Sequence, residues 1–296
     1  NAAAQFNLGN LYFFGKGVEK DYRLSYEWYE KAAGQGSKNA VNGLISVGNM
    51  FEKEKNYQKA FECYQIAAEQ GNAAAQHNLG NLYFFGRGVK KDYRLSYEWY
   101  KKAAEQGNPD AQSNLGWQYE TAHGVQKNIN EAKKWYEKAV ILGHENAVHG
   151  LINVGLMFEK EKSYQKAFGC YQIAAEQGNA AAKFNLGNIY LIGKGVEKDY
   201  RLSYEWYEKA AEQGLRDAQF QCGKMHYNGQ GIAKNVSEAL RYYKLAANQG
   251  LSEAQFNLGE IYEDGIYVEK DLNKAVSFYH QSHTNGYTEA TKKLQM

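Results

Sequence analysis

Proline is almost absent from this 296-residue chain, cysteine is scarce, no long apolar run occurs, and neither sign of charge dominates. The lone Pro109 falls in Asn108-Pro109-Asp110, where a first-turn proline forfeits no hydrogen bond that a helix needs. The mean hydropathy of -0.70 and the lack of a long apolar stretch exclude a membrane-spanning helix. Lys plus Arg number 35 against 33 Asp plus Glu, so no excess charge drives binding to nucleic acid or to a membrane surface. Cys63, Cys170 and Cys222 argue neither for nor against an oxidising compartment. The seven histidines form no cluster with Cys and acidic residues at ligand spacing, and no metal or cofactor is expected. His280 and His283 stand three apart on a helix, but His283 occupies a small-residue position of the pattern described next, which favours packing or capping.

What the chain does have is glycine in register. Leu8-Gly9, Val47-Gly48, Leu79-Gly80, Leu115-Gly116, Val154-Gly155, Leu186-Gly187, Cys222-Gly223 and Leu258-Gly259 recur at spacings of 39, 32, 36, 39, 32, 36 and 36 residues. That is the length of a two-helix hairpin, too short to bury its own apolar face, so neighbours must share a core. Asp21, Asp92, Asn128, Asp199, Asn235 and Asp271 each precede an amphipathic run and read as N-caps. Gly36, Gly107, Gly143, Gly214 and Gly250 close those runs. In the first repeat the spacing predicts helix A over about 2–14 and helix B over about 22–35. Ala4, Leu8 and Tyr12 form the packing stripe of helix A, and Ser25, Trp28, Tyr29, Ala32 and Ala33 that of helix B. The repeats run approximately 1–36, 37–71, 72–107, 108–143, 144–178, 179–214, 215–250 and 251–286, as one repeat domain. Residues 287–296, with Ala290 and Leu294 at packing positions, form a capping helix.

Repeats two and five replace the interhelical glycine loop with Phe51-Glu-Lys-Glu-Lys-Asn-Tyr57 and Phe158-Glu-Lys-Glu-Lys-Ser-Tyr164, a turn four residues shorter. Residues 46–107 match residues 153–214 at 50 of 62 positions, the mark of a duplication, so differences between the copies say more about a partner than identities do.

The pattern A-x3-LG-x2-Y-x2-G-x-GV-x2-D, followed by A-x2-WY-x-KAA-x-QG, resembles the Sel-one-like repeat, a relative of the tetratricopeptide repeat, over essentially the whole chain. The resemblance implies an all-α, right-handed α-solenoid of about eight two-helix repeats that serves as a non-catalytic scaffold or adaptor. It also implies settings ranging from exported or host-interface bacterial proteins to the eukaryotic endoplasmic reticulum. No initiator Met or signal peptide is visible, and the chain opens inside a helix A, so it is expected to be a piece of a longer protein. Some family members staple each hairpin with two cysteines. No repeat here has two, and all three cysteines are expected in the core, as are Trp206 and Leu186.

Motifs of catalysis fail against the repeat. Gly9 to Gly15-Lys16-Gly17 lacks the spacing and the Ser or Thr of a phosphate loop. Ser163-Tyr-Gln-Lys166 has S-x-x-K spacing without its S-D-N or K-T-G partners, and Asn56 stands there in the sister copy, so a turn residue accounts for it. Asn235-Val-Ser237 matches a glycosylation sequon whose Asn fills the repeated cap site.

The face of helix A turned away from Leu8 remains for binding. Its candidate residues are Phe6, Asn10 and Phe13, then Asn49, Asn81, Phe84, Trp117, Glu120, Glu159, Asn188, Lys224, Tyr227, Glu260 and Glu263. Asn10, Asn49, Asn81 and Asn188 form a ladder able to hold a peptide backbone, and duplication alone would also produce it. Trp117 interrupts the ladder as an aromatic anchor or as extra core against Tyr119. Glu120, Glu159, Glu260, Glu263 and Asp264 favour a partner segment with basic residues. The function expected is a non-enzymatic protein or peptide binder working through the concave helix A groove. A spacer within a larger protein and a cell-wall-active enzyme are the alternatives.

Overall fold

The computed structural model describes residues 1–295, and the regular elements among them are all α-helices. Eight hairpins follow one another: α1 (Ala2–Phe14) with α2 (Tyr22–Ala33), α3 (Lys38–Lys53) with α4 (Tyr57–Glu69), α5 (Ala73–Phe85) with α6 (Tyr93–Glu105), and α7 (Pro109–Thr121) with α8 (Ile129–Ile141). Then come α9 (Glu145–Lys160) with α10 (Tyr164–Glu176), α11 (Ala180–Ile192) with α12 (Tyr200–Glu212), α13 (Arg216–Asn228) with α14 (Val236–Asn248), and α15 (Ser252–Asp264) with α16 (Leu272–Thr284). A short α17 (Thr288–Leu294) closes the second unit, with Ala290 fully buried and Leu294 packed beside it. Met296, the last residue of the expected cap, lies outside the described residues. The chain divides within α9 into two compact units, Asn1–Gly150 and Leu151 onward.

The caps fall where the sequence places them. Asp21, Asp92, Asn128, Asp199, Asn235 and Asp271 each accept a hydrogen bond from an amide of the following first turn. Pro109 opens α7 behind the Asn108 cap. Helix B of the first repeat ends at Ala33, two residues before its expected end, because Gly36 takes φ 83° and the last carbonyls close through Gly36 and Ser37. The interhelical loops also rest on the preceding hairpin. A Cβ at Gly124 would stand 2.0 Å from the Tyr93 carbonyl oxygen, a distance that only glycine permits.

Each hairpin is locked by one tyrosine of helix B. Tyr29, Tyr64, Tyr100, Tyr136, Tyr171, Tyr207, Tyr243 and Tyr279 lie flat on the recurring glycine of helix A, and all are buried. A Cβ at Gly187 would approach the Tyr207 ring to 2.5 Å. Ser25 and Ser203 donate to the carbonyls of Gly9 and Gly187, at 3.0 and 2.9 Å, and hold the same crossing from below.

This assigns the helix B core differently from the sequence reading. In the Trp-Tyr pairs it is the tyrosine that is enclosed. Trp28, Trp99 and Trp206 are only half-buried, with Lys31, Lys102 and Lys209 over their outer faces at 4.6, 4.1 and 4.5 Å. Trp135 is the enclosed exception. The cause is the helix period: positions 28 and 29 are 100° apart, and the glycine groove admits the second. Ala4 is exposed, whereas its counterpart Ala75, with a hairpin before it, is fully buried. Leu186 and the three cysteines are buried as expected, and burial pushes the Cys63 and Cys222 thiols well up, so these two stay uncharged.

A glutamine relay joins neighbouring hairpins. Gln76 donates to the Ala68 carbonyl of the hairpin before it (3.2 Å) and accepts from Gln106 at the end of its own hairpin (2.7 Å). Gln219 repeats this with Ala211 and Gln249, and Gln255 with Ala247 and Asn285. In the fourth hairpin the relay stops. Gln112 still donates to Ala104, but Leu142 stands where Gln106 stands, and the buried Gln112 Oε1 has no donor.

Candidate protein-binding surface

The helix A triplets separate into three layers once their neighbours are known. The first members turn inward onto the locking tyrosine. Phe6 packs on Tyr29 at 5.8 Å between ring centroids, His77 on Tyr100 at 5.8 Å, Phe184 on Tyr207 at 5.5 Å, Phe220 on Tyr243 at 5.8 Å and Phe256 on Tyr279 at 5.5 Å. Phe6 is thus a half-buried wall of the core, because a tyrosine is long enough to cross helix A and reach the far side. Phe13 packs in the same way against Tyr22 at 5.5 Å.

The second members form the asparagine set, and their acceptor oxygens are already used. Tyr29, Tyr64, Tyr100 and Tyr207 donate to Oδ1 of Asn10, Asn49, Asn81 and Asn188 at 2.8, 2.6, 2.6 and 2.6 Å. Burial raises the tyrosine pKa in each case, so the hydroxyls remain protonated donors. A ladder that both donates to and accepts from a peptide is therefore reduced to one that donates through Nδ2. At Asn81 even that group is shared: Asn81 and Asn114 carboxamides approach His77 Nε2 at 3.4 and 3.1 Å. Burial lowers the His77 pKa and keeps it neutral, and these partners require the tautomer with its proton on Nδ1.

The third members include the acids. Glu120 does not join an open acidic surface: it is buried, and its Oε2 accepts from Tyr136 at 2.7 Å. With Trp117 in the asparagine position, Glu120 supplies the acceptor that the locking tyrosine needs. Glu263 does the same for Tyr279 and is paired to Lys293 of α17 at 2.7 Å, and these bonds lower its pKa. Glu159 and Glu260 are partly exposed, and burial raises both pKa values, against the opposing pull of Lys194 and Lys293. Lys224 is exposed, its ammonium 5.6 Å from the Phe220 ring. Tyr227 meets Tyr267 at 6.1 Å, with Lys234 over both rings.

Trp117 is 37% exposed and stacks on His123 at 4.7 Å, with the Phe84 ring edge-on at 5.4 Å. Its support comes from the α7–α8 loop rather than from Tyr119, which bonds Tyr97 instead. Phe84 also touches Tyr93 and Phe85, and Phe85 is 53% exposed. Asn81, Phe84, Phe85, Tyr100, Asn114 and Trp117 line a cleft of about 270 Å³. Sequence reasoning missed Phe85, Asn114 and His123. The repeated aromatic at the end of helix A, as Phe14 and Phe85, was a readable sign for the first. His123 needed the loop geometry.

In the second unit a cleft of about 480 Å³ opens beside Asn188, lined by Leu156, Glu159, Lys160, Tyr164, Asn185, Asn188, Ile189, Ile192 and Lys194. It contains two of the expected residues, Glu159 and Asn188, and lies at the equivalent place in its hairpins.

Comparison with known proteins agrees with this geometry. The model of the Sel1 repeat matches residues 2–37, 48–72, 73–108, 109–144, 150–179, 180–215, 216–251 and 252–287. The chain is similar to c5321, a protective antigen of uropathogenic Escherichia coli strains displaying an SLR fold, at 32% identity and a TM-score of 0.72, over 99% of this chain and 64% of that one. It also resembles a Sel1 repeat protein from Oxalobacter formigenes, at 27% identity and a TM-score of 0.64, over 99% of this chain and 86% of that one. A segment of 58 residues is 41% identical to the chitin synthase regulator SKT5 of Saccharomyces cerevisiae, spanning 17% of this chain and 8% of that protein. With eight matched repeats in the register of its eight hairpins, the chain belongs to the Sel1 repeat family.

Proposed function

We propose that the chain is a non-catalytic adaptor that holds a segment of another protein on the outer part of its helix A face, anchored in the first unit by Trp117. Sel1 repeat proteins generally mediate protein–protein interaction. The observation that carries the reading is the cleft in which Trp117 and Phe85 stay exposed although Phe84, Tyr93 and His123 brace them. A rigid, half-covered aromatic is the usual make-up of an interface anchor. The second members of the triplets offer donors, which suits the carbonyls of an extended chain. The preference for a basic segment rests on Glu260 and the exposed Asp264 of α15, since Glu120 and Glu263 are spoken for.

The test is capture of partners by the parent chain and by Trp117→Ala, followed by direct titration of what is captured. Trp117→Ala should keep its helical signal and lose about 2 kcal/mol or more of affinity, as a central aromatic does. Equal affinity for both proteins would remove the helix A face as the site.

A further inference from the structure

The seam between α5 and α7 in the first unit has two steps. His77, Asn81 and Phe84 follow one another at helical spacing along α5, and Asn114 and Trp117 do so along α7. In the aromatic step Phe84 meets Trp117 edge-on at 5.4 Å. In the polar step the carboxamides of Asn81 and Asn114 approach His77 Nε2 at 3.4 and 3.1 Å. Asn81, Tyr100 and Asn114 belong to the wall of the 270 Å³ cleft. His77, outside that wall, bonds two of these residues and stacks on the third at 5.8 Å.

Four other hairpins carry phenylalanine at this position. Phe6, Phe184, Phe220 and Phe256 pack on Tyr29, Tyr207, Tyr243 and Tyr279 as His77 packs on Tyr100, and Phe184 is the matching residue of the duplicated copy. Packing therefore does not call for an imidazole. What histidine adds is a nitrogen that changes from acceptor to donor near neutral pH.

The neighbours fix which role that nitrogen plays. Tyr100, 2% exposed, donates to Asn81 Oδ1 at 2.6 Å. This bond turns the Asn81 N–H groups to His77 and makes Nε2 an acceptor. With a proton on Nε2, two N–H groups would face a third. Turning Asn114 relieves only its own half, and turning Asn81 as well takes the acceptor from the buried Tyr100 hydroxyl. The charged and titratable groups that face His77 are Glu52 of α3, Tyr100 of α6, Asp110 of α7 and His144 ahead of α9. Glu52 and Asp110 favour a proton on the ring, but Glu52 is paired with Arg87 at 3.6 Å and Asp110 with His144 at 3.2 Å. Burial outweighs both carboxylates and lowers the His77 pKa.

We propose that His77 is a proton switch on this cleft: neutral, it gathers Asn81 and Asn114 and closes the polar step; protonated, it drives them apart, unlocks Tyr100 and loosens the seam that carries Trp117. The proposal adds acid regulation to the cleft of the adaptor reading and rests on that reading only for its use by a partner. Its test needs the chain alone, so the two can fail separately. As pH falls the unfolded chain takes up the proton first, because the folded pKa is the lower one. The stability that neutral His77 gives is complete above 6.5 and is lost as pH drops from 6.5 through the folded value.

The experiment follows the parent, His77→Phe and Asn114→Ala from about pH 8 to about pH 5. Phenylalanine is the residue of the matching copy, so His77→Phe keeps the packing on Tyr100. Nitrogen-15 NMR of labelled imidazoles, with His77→Phe identifying the signal, should show the His77 proton on Nδ1 at neutral pH and a titration midpoint below 6.5. Asn114→Ala should move that midpoint upward, since the neutral ring loses a donor. Hydrogen exchange over residues 73–121, corrected for intrinsic rates, should accelerate on acidification about threefold or more beyond the change in His77→Phe, in which His123 still stacks on Trp117. A proton on Nε2 at neutral pH, or a midpoint at or above 6.5, would overturn the proposal. So would a midpoint unmoved in Asn114→Ala, or equal acid responses of exchange in the parent and His77→Phe.

Discussion

Replacing glycine by alanine inside a helix ordinarily stabilises it by about 0.5–1 kcal/mol, and this chain allows that rule to be run in both directions. At Gly187 the added methyl would meet the Tyr207 ring at 2.5 Å, whereas ordinary contact begins near 3.4 Å. The ring cannot yield easily: Tyr207 is fully buried, and its hydroxyl is tied to Asn188 at 2.6 Å. Overpacking of this kind costs about 1–3 kcal/mol or more, and a clash with a tethered ring belongs at the upper end. After the propensity gain, Gly187→Ala should lose about 2 kcal/mol. Gly169 of α10 has nothing within 4 Å of the same methyl, so Gly169→Ala should gain about 0.5–1 kcal/mol. Urea unfolding followed by helical circular dichroism reads both as midpoint shifts of opposite sign. If Gly187→Ala melts at or above the parent midpoint, the tyrosine-on-glycine lock does not hold the hairpin and the account of the core fails.

Three further outcomes follow from the same packing. Tyr207→Ala should cost about 3–5 kcal/mol as a large enclosed side chain, and Trp206→Ala clearly less, because its outer face is covered only by Lys209; thermal melts of the pair decide it. Leu142→Gln should raise stability by about 1 kcal/mol by giving Gln112 Oε1 the donor it lacks, seen as a higher urea midpoint. The Glu263 pKa is lowered by its bonds to Lys293 and Tyr279, so its contribution is present above its ordinary value of 4.5 and is lost as pH falls through the lower folded value. Amide exchange in α17 should therefore accelerate in the parent as pH drops below 4.5, after correction for intrinsic rates, and show a weaker pH response in Glu263→Gln.

The repeat register, the caps and the loops were legible because each depends on residues close in sequence: Asp21 needs only Leu24 to be recognised, and Gly36 only its own backbone. Which side of helix A faces out was legible only in outline. A stripe drawn at 100° per residue puts Phe6 and Asn10 opposite Leu8, and cannot show that a tyrosine nineteen residues after Asn10 reaches round to both. Glu120 was misplaced for the same reason: its burial is set by Tyr136 and by the absence of an asparagine at Trp117. The glutamine relay was available in the sequence, since Gln76 and Gln106 recur in register as Gln219 and Gln249. It reads as solubility until the bonds are seen, and the break at Leu142 has meaning only once the relay is known.

The seating of four interhelical loops on the hairpins before them has a consequence for how such a chain lengthens. Gly88 rests on the backbone at Tyr57, Gly124 on Tyr93, Gly195 on Tyr164 and Gly231 on Tyr200. Because these joints are made of main chain against main chain, with glycine on one side, a copied block brings its own fitting and asks nothing of the side chains it lands on. A newly inserted block can then fold at once and carry, at first, a redundant outer face. Mutations there escape the selection that guards the joints, and a single exchange such as that of Asn49 for Leu156 can change the hydrogen bonding of that face while the joints stay the same.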